Sequence, residues 1–173
     1  MNISMRKDVA IVEPEAGDTL AVAGGNYRVV ISGEMTGGNY AVIEMLVPPG
    51  GGPPPHAHPN MQEMFYVLEG EVEFKTENGS TLVRQGGFIN IPLGGAVHCF
   101  KNESGMLAKL LCTVVPAGLE EIFRQIGIPA APGEFIPPPP LTPERKKLLT
   151  KLDIDHQQHT YPADYLDNIT KTN

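Results

Sequence analysis

The sequence has few cysteines, few basic residues and no long apolar run, and each shortage excludes a class of protein. Its 173 residues include only two cysteines, Cys99 and Cys112, so we expect free buried thiols and no disulfide framework. Lys and Arg number 13 against 20 Asp and Glu, which provides no basic surface for nucleic acid or an anionic membrane. No apolar run reaches the roughly 18 residues that span a bilayer, and residues 1–10 lack the apolar core of a signal peptide. These shortages together predict a cytoplasmic protein that binds neither nucleic acid nor membrane.

Glycine and proline, by contrast, are abundant, with 19 and 17 residues respectively. They separate short aliphatic and β-branched runs, a pattern typical of many short strands joined by tight turns. About nine strands are predicted between residues 19 and 115, which would form an antiparallel barrel or sandwich. At this length the chain is expected to be a single domain, 1–173, with a barrel core at about 19–115 and a C-terminal extension at 116–173.

One predicted strand, at residues 40–47, is apolar on both of its alternating faces. Tyr40, Val42 and Leu46 point to one side, whereas Ile43 and Met45 point to the other. A strand of this kind is covered on both sides. The barrel interior would provide one cover, and the C-terminal extension or a second subunit the other, so we expect a homodimer.

The extension has a different pattern, which predicts two short helices. Leu119, Ile122, Phe123 and Ile126 form the apolar stripe of an amphipathic helix, and the neighbouring Glu120-Glu121 pair is expected to be solvated. Residues 129–140 form a proline-rich connector. Thr142 is then a plausible N-cap, with Pro143 at the first position of a second helix. Beyond residue 153 the chain is polar, and its His156 and His159 are expected to face solvent.

His56-Ala57-His58 is the most informative stretch of the sequence. Alternate residues of an extended chain point to the same side, so the two imidazoles can approach one ion. Glu63 follows after four residues and adds a carboxylate oxygen. Two imidazoles and a carboxylate favour a divalent first-row transition metal over calcium or magnesium. The stretch therefore predicts a metal site.

Two longer strings surround this stretch. The first runs from Gly50 through His56, His58 and Glu63 to Gly70. The second has, in order, Gly86, Pro92, Gly94-Gly95, His98 and Asn102. Fifteen residues, 71–85, separate the two strings.

At every fixed position these strings resemble the two motifs of the cupin superfamily. The resemblance implies an all-β fold, the cupin double-stranded β-helix or jelly-roll barrel, here with two short C-terminal helices. It also implies one divalent metal ion, which would be Ni, Mn, Fe, Co, Zn or Cu. Carried over residue by residue, the metal ligands would be His56, His58, Glu63 and His98.

A looser resemblance covers more of the chain. Residues 52–56, 63–70, 116–123 and the run that ends at Glu144 are similar to bacterial single-domain quercetinase-like cupins. In that family a metal enzyme uses dioxygen to open the heterocycle of a flavonol. Glu63 would then be the catalytic residue that takes the proton from the substrate hydroxyl. We expect an aromatic small-molecule substrate in a pocket lined by Phe65, Phe100, Met45 and Met106, although these side chains could equally be barrel core.

Two other functions are compatible with the same motifs. A metal-dependent isomerase, epimerase or decarboxylase of a small molecule usually needs a cation inside the barrel to hold phosphate or carboxylate. The sequence places no cation there, because Lys101 points away from the side of His98 and the other basic residues have no assignable face. A non-catalytic, small-molecule-binding cupin is the third possibility, since a fold and a metal do not determine function.

Overall fold

The computed structural model describes residues 9–169, and in this range the chain is built mainly from antiparallel strands. The strands are β1 Asp18–Val22, β2 Gly25–Ile31, β3 Ala41–Val47, β4 His56–Ala57, β5 Gln62–Glu69, β6 Glu71–Thr76, β7 Gly79–Arg84, β8 Phe88–Ile91, β9 His98–Lys101, β10 Ala108–Val115, β11 Ile128–Pro129 and β12 His159–Thr160. The helices are α1 Gly33–Thr36, α2 Leu119–Ile126, α3 Pro143–Asp155 and α4 Tyr165–Ile169. The predicted all-β class is confirmed.

The strands form two sheets that enclose one main core. The larger sheet has seven strands in the order β11-β1-β2-β3-β10-β5-β8, and the smaller has five in the order β12-β4-β9-β6-β7. Met45 and Leu110 of the larger sheet belong to the same buried cluster as Val72, Phe74 and Phe100 of the smaller sheet. Burial of these apolar side chains between the sheets is the main source of the fold's stability. The site described below lies on the inner faces of both sheets.

The strand predicted to be covered on both faces is β3, and its two faces differ. Ala41, Ile43, Met45 and Val47 are buried, whereas the alternate residues Val42, Glu44 and Leu46 are only half-buried. On that outer face Glu44 Oε1 accepts a hydrogen bond from Arg28 Nε at 3.3 Å. Within residues 9–169 the chain therefore buries the inner face fully and the outer face only in part.

Because the outer face of β3 is only half-buried within one chain, homodimerisation remains a prediction. At micromolar concentration, light scattering is expected to give twice the 18.7 kDa mass of one chain. The outer face offers apolar surface for a partner, and burying such surface favours association. A mass of one chain under these conditions would contradict the prediction.

Both helices predicted in the extension are present. Helix α2 spans Leu119–Ile126 and buries Leu119 and Ile122. Helix α3 begins at Pro143, and the side chain of its N-cap residue Thr142 accepts a hydrogen bond from Arg145 N. Leu152 of α3 belongs to the main core. The apolar stripe and the capping residues were sufficient signals for these two elements.

The solvated role expected for Glu120 is wrong. Glu120 is 1% exposed, and its carboxylate accepts hydrogen bonds from Gly33 N at 2.7 Å and from Gly118 N at 2.9 Å. A buried carboxylate is tolerated when it is hydrogen-bonded in this way. Glu120 therefore connects helix α2 to the start of α1.

The polar tail beyond residue 153 contains more structure than predicted. Strand β12 pairs with β4 through His159↔Ala57 and Thr160↔His56, and Tyr161 N donates a hydrogen bond to Pro55 O at 2.9 Å. A third C-terminal helix, α4, buries Leu166 against Ala57, Val97 and Cys99. Strand β12 and helix α4 are short and lie in a polar segment. Neither element therefore has a hydrophobic pattern that predicts secondary structure. No helix within residues 9–169 is long and apolar enough to cross a membrane.

Candidate metal centre

Three strands and one loop bring the four predicted ligands together. His56 of β4 lies directly opposite His98 of β9, and Glu63 reaches the same place from β5 in the other sheet. One ligand atom from each of His56, His58, Glu63 and His98 can be chosen so that all four atoms lie within 4.8 Å of one another. Three of these residues are buried, and His56 is half-buried. This cluster can hold a metal ion.

The glycine- and proline-rich loop before β4 sets the position of His56. Gly52 has φ +144°, and a Cβ at this residue would lie 2.1 Å from Phe100 O, so only glycine allows the loop to pack against β9. Asn102, which follows β9, is fully buried and donates a hydrogen bond from Nδ2 to Val47 O at 2.8 Å. Its backbone N also donates to Gly51 O at 3.0 Å. Asn102 therefore ties this loop to the strand that carries His98.

Backbone carbonyls determine which nitrogen of two histidines is available for a metal. His56 Nδ1 lies 2.8 Å from Pro54 O, and His98 Nδ1 lies 2.8 Å from Ala96 O. A carbonyl oxygen only accepts, so in both rings the proton belongs on Nδ1. In the neutral imidazoles, Nε2 then carries the lone pair, as in metal-binding histidines whose other nitrogen donates to a carbonyl.

The contacts between the side chains of the cluster fit a cation. His98 Nε2 lies 3.0 Å from Glu63 Oε2, and with the proton on Nδ1 both of these atoms are electron-pair donors unless a proton or a metal ion lies between them. Neither ring nitrogen of buried His58 has a hydrogen-bond partner within the described chain. An unpaired buried polar atom is costly, and coordination would remove that cost.

The electrostatic environment favours the metal-binding protonation states. Burial lowers the pKa of His56 to about 3, with help from His98 and His58. Burial also lowers the pKa of His58. For Glu63, burial opposes ionisation, but the hydrogen bond that exists when a proton lies between His98 Nε2 and Glu63 Oε2, and the positive charge of the surrounding imidazoles when they are protonated, hold its pKa at about 2. Neutral imidazole and ionised carboxylate are the forms that bind metals.

A cavity of about 680 Å³ opens beside the cluster, and His56, His58 and Glu63 are part of its lining. Of the four side chains predicted for a substrate pocket, Phe65, Phe100 and Met45 line this cavity. The rings of Phe65 and Phe100 pack edge to face with centroids 5.4 Å apart.

Met106 needs correction as a predicted pocket residue. It lies in the turn before β10, is 73% exposed and does not line the cavity. Its apolar side chain suggested a pocket residue, but the turn places it on the surface.

Sequence reasoning missed the contribution of the extension to this cavity. Phe123 of α2, Pro138 and Pro139 of the connector, and Leu149 of α3 form apolar walls. On the α3 side the lining also includes the charged and polar residues Arg145, Lys146, Thr150, Asp153, Gln158 and Thr160. Amphipathic periodicity identifies the apolar face of a helix but does not say what that face covers.

Cys112 and Tyr27 are two further buried groups near Glu63. The Cys112 thiol donates a hydrogen bond to Glu63 Oε1 at 3.4 Å. Burial raises the pKa of this thiol, and the negative charge of Glu63 raises it further. Tyr27 lines the cavity, and its buried hydroxyl has no hydrogen-bond partner within residues 9–169. Both cysteines are free, as predicted.

Known families and structures agree with this geometry. The Cupin domain family matches residues 43–114, a segment that contains all four residues of the cluster. This match and the arrangement of the four side chains support the assignment of this segment to the cupin superfamily. Cupins commonly bind a divalent metal, which agrees with a cluster that can hold one.

The cupin domain is also similar to a characterised enzyme. This chain is 29% identical over 119 residues to quercetin 2,3-dioxygenase of Bacillus subtilis (strain 168). The match covers 69% of this chain but 35% of that enzyme, so the chain spans about a third of the length of this relative.

Two solved structures show a similar fold over part of this chain. KdgF from Halomonas sp. superposes with a TM-score of 0.58 at 15% identity, covering 66% of this chain and 99% of that one. A predicted oxalate decarboxylase from Thermotoga maritima gives a TM-score of 0.57 at 19% identity, covering 62% of this chain and 99% of that one. About a third or more of this chain lies outside each superposition.

Proposed function

We propose that this cupin is a metal-dependent dioxygenase that opens a ring of a flavonol or a similar enolisable aromatic molecule. One observation carries the proposal: an apolar, aromatic cavity lies directly beside a cluster that can hold a metal ion. Flat aromatic molecules fit a cavity with walls of Phe65, Phe100 and Phe123, since aromatic rings pack edge to face or offset-stacked against one another. The cavity volume is also in the range of small-molecule sites.

The charges around the barrel favour an uncharged substrate over a phosphate or a small dicarboxylate. Among the described residues, five cations of the strands form ion pairs with carboxylates away from the cavity lining: Arg28 with Glu44, Lys75 with Asp167, Arg84 with Glu71, Lys101 with Glu103 and Lys109 with Glu69. The cations that border the cavity, Arg145 and Lys146, come from the first turns of α3. An anionic substrate held at the metal cluster would therefore lack a cationic side chain from the strands around it.

Glu63 is the residue that can take the proton of a substrate hydroxyl. Its pKa of about 2 keeps it ionised at neutral pH, and its Oε2 lies on the side of the imidazoles. The Cys112 thiol holds Oε1, which limits rotation of the carboxylate. A hydroxyl bound next to Oε2 can transfer its proton to that oxygen as a general-base step. A bound metal would stabilise the resulting oxyanion and bring the substrate and dioxygen together.

The cavity walls would hold the substrate and limit the access of water. Phe65 and Phe100 form the side made by the barrel, whereas the connector and α3 form the opposite side. A bound aromatic ring would displace water from both sides. Removing water strengthens the electrostatic interactions around Glu63 and the metal cluster.

Oxygen consumption with quercetin tests the proposal. Protein loaded separately with nickel, manganese, cobalt or iron, with the metal content measured by elemental analysis, is expected to consume dioxygen in proportion to the loss of the flavonol absorption band. Protein stripped by a chelator is the control and is expected to show neither change. Absence of oxygen uptake with all four metals would reject the dioxygenase function.

A further inference from the structure

Three polar side chains of the C-terminal extension form a hydrogen-bonded cluster on the cavity wall. Asp153 Oδ1 accepts from Gln158 Nε2 at 3.1 Å and from Thr160 Oγ1 at 3.1 Å. Gln158 N also donates to Asp153 O at 2.8 Å. All three residues line the cavity described above. We call Asp153, Gln158 and Thr160 the polar wall.

The polar wall lies next to the metal cluster. Thr160 of β12 is the direct antiparallel partner of His56 in β4, and paired residues of this kind have Cα atoms roughly 4.5–5.5 Å apart. Their side chains point to the same face of the sheet. The face that presents His56 to the cavity therefore also presents Thr160, whose hydroxyl donates to Asp153.

The carboxylate of Asp153 is held in place and keeps one oxygen available. Gln158 and Thr160 both donate to Oδ1, whereas Oδ2 has no hydrogen-bond donor within residues 9–169. Asp153 is half-buried, and the two hydrogen bonds to Oδ1 set the orientation of its carboxylate. A fixed carboxylate on a cavity wall, with one oxygen free of donors, can accept a hydrogen bond from the hydroxyl group of a ligand, and a hydrogen bond to an ionised group is stronger than one between neutral groups.

The two cations of the same helix that line the cavity, Arg145 and Lys146, lie toward its other end. Arg145 precedes Asp153 by eight residues on α3, which at 1.5 Å per residue is a separation of roughly 12 Å along the helix. Arg145 Nη2 donates to Ile126 O at 3.1 Å, which holds it at the C-terminal end of α2. The part of the cavity nearest the metal cluster therefore has the carboxylates of Glu63 and Asp153, and the part near α2 has the cations.

We propose that the polar wall is a hydroxyl-binding subsite, in which Asp153 Oδ2 accepts a hydrogen bond from a second hydroxyl group of the substrate. This inference rests on the proposed function and narrows its substrate class to neutral polyhydroxylated aromatic molecules. A carboxylate or phosphate group is disfavoured at the same position because it would meet the negative charge of Asp153. The subsite belongs to the extension, outside the segment that matches the Cupin domain family.

Binding of two flavonols in the absence of oxygen tests the subsite. Quercetin and 3-hydroxyflavone share the 3-hydroxyl and 4-carbonyl groups, but 3-hydroxyflavone has no other hydroxyl. The dissociation constant of each is measured with cobalt-loaded protein by titrating the visible absorption of the flavonol. Wild-type protein is expected to bind quercetin more tightly, and Asp153→Asn is expected to reduce that preference roughly tenfold.

The asparagine substitution reverses the hydrogen-bonding character of the free position. Gln158 and Thr160 will continue to donate to the amide oxygen, so the NH₂ group will occupy the place of Oδ2 and will donate where the carboxylate accepted. Thr160→Val removes one of the two anchors of Asp153 and is expected to give a smaller reduction. Asp155→Asn is the matched control on the same helix, because Asp155 is exposed and pairs with Lys151. This variant is expected to prefer quercetin over 3-hydroxyflavone by the same factor as wild type.

Each result of this experiment has a defined meaning. A reduced preference in Asp153→Asn, with unchanged cobalt content and an unchanged melting temperature, supports the subsite. If wild type and Asp153→Asn prefer quercetin over 3-hydroxyflavone by the same factor, the subsite is overturned and the dioxygenase proposal is left standing. A reduced preference without oxygen uptake in air supports the subsite and overturns the reaction. If neither flavonol binds to wild-type protein, both proposals are overturned.

Discussion

The His98→Ala variant is expected to lose stoichiometric metal binding, with an apparent dissociation constant that rises roughly 100-fold or more. His98 is fully buried, and its Nε2 lies 3.0 Å from Glu63 Oε2. The substitution removes one donor from the predicted set of four and leaves the carboxylate without its closest partner. The loss of a ligand should cost at least as much affinity as the 10–100-fold typical of removing a group that only orients one. Elemental analysis after dialysis against metal-free buffer measures the effect.

His159→Ala is the matched control for this variant. His159 is exposed, and β12 pairs with β4 through backbone hydrogen bonds, so full metal occupancy is expected to remain. Because His98 packs in a stacked arrangement with Phe74, its removal also affects the fold. His56→Ala therefore provides a second test at a half-buried position, with circular dichroism to check folding. Full metal occupancy in folded His98→Ala and His56→Ala would show that these residues are not ligands.

The Glu63→Gln variant is expected to lower the rate constant for flavonol oxidation by about 100-fold or more. Glutamine preserves the shape of the side chain but cannot accept a proton, and general-base catalysis typically contributes 10²–10⁴-fold. The rate is to be expressed per bound metal ion, measured on the same samples, because the substitution also removes a negative charge from the ligand set. Stopped-flow absorption of the flavonol under saturating oxygen gives this rate.

The pH dependence separates the loss of a base from a general disturbance of the site. As the pH rises and the flavonol hydroxyl ionises in solution, the substrate no longer needs a base, and the deficit of Glu63→Gln is expected to narrow. Glu69→Gln is the control on the same strand: Glu69 is largely exposed and lies 3.7 Å from Lys109, and its rate is expected to match wild type. A deficit that stays constant with pH would argue against Glu63 as the proton acceptor.

The sequence by itself determined the elements whose signals are local. The spacing of His56, His58 and Glu63 predicts a metal site if the chain is extended there. The motif resemblance added His98, which lies 35 residues after Glu63. Structure then placed ligand atoms of all four within 4.8 Å of one another. Helices α2 and α3 were predictable for the same reason, because an apolar stripe and an N-cap are set by residues three or four positions apart.

Only the tertiary structure decided what these elements contact. Glu120 was predicted to be solvated because the Glu120-Glu121 pair lies beside the apolar stripe of α2, but its carboxylate accepts a hydrogen bond from the distant Gly33 N. Met106 is apolar yet lies in an exposed turn, and Cys112 contacts Glu63 from another strand. Asp153 lines the cavity beside the metal cluster, and its partner Thr160 is placed there by the pairing of β12 with β4, more than 100 residues away in the sequence. Such contacts depend on backbone hydrogen bonding and packing between distant segments, which no local pattern of residues encodes.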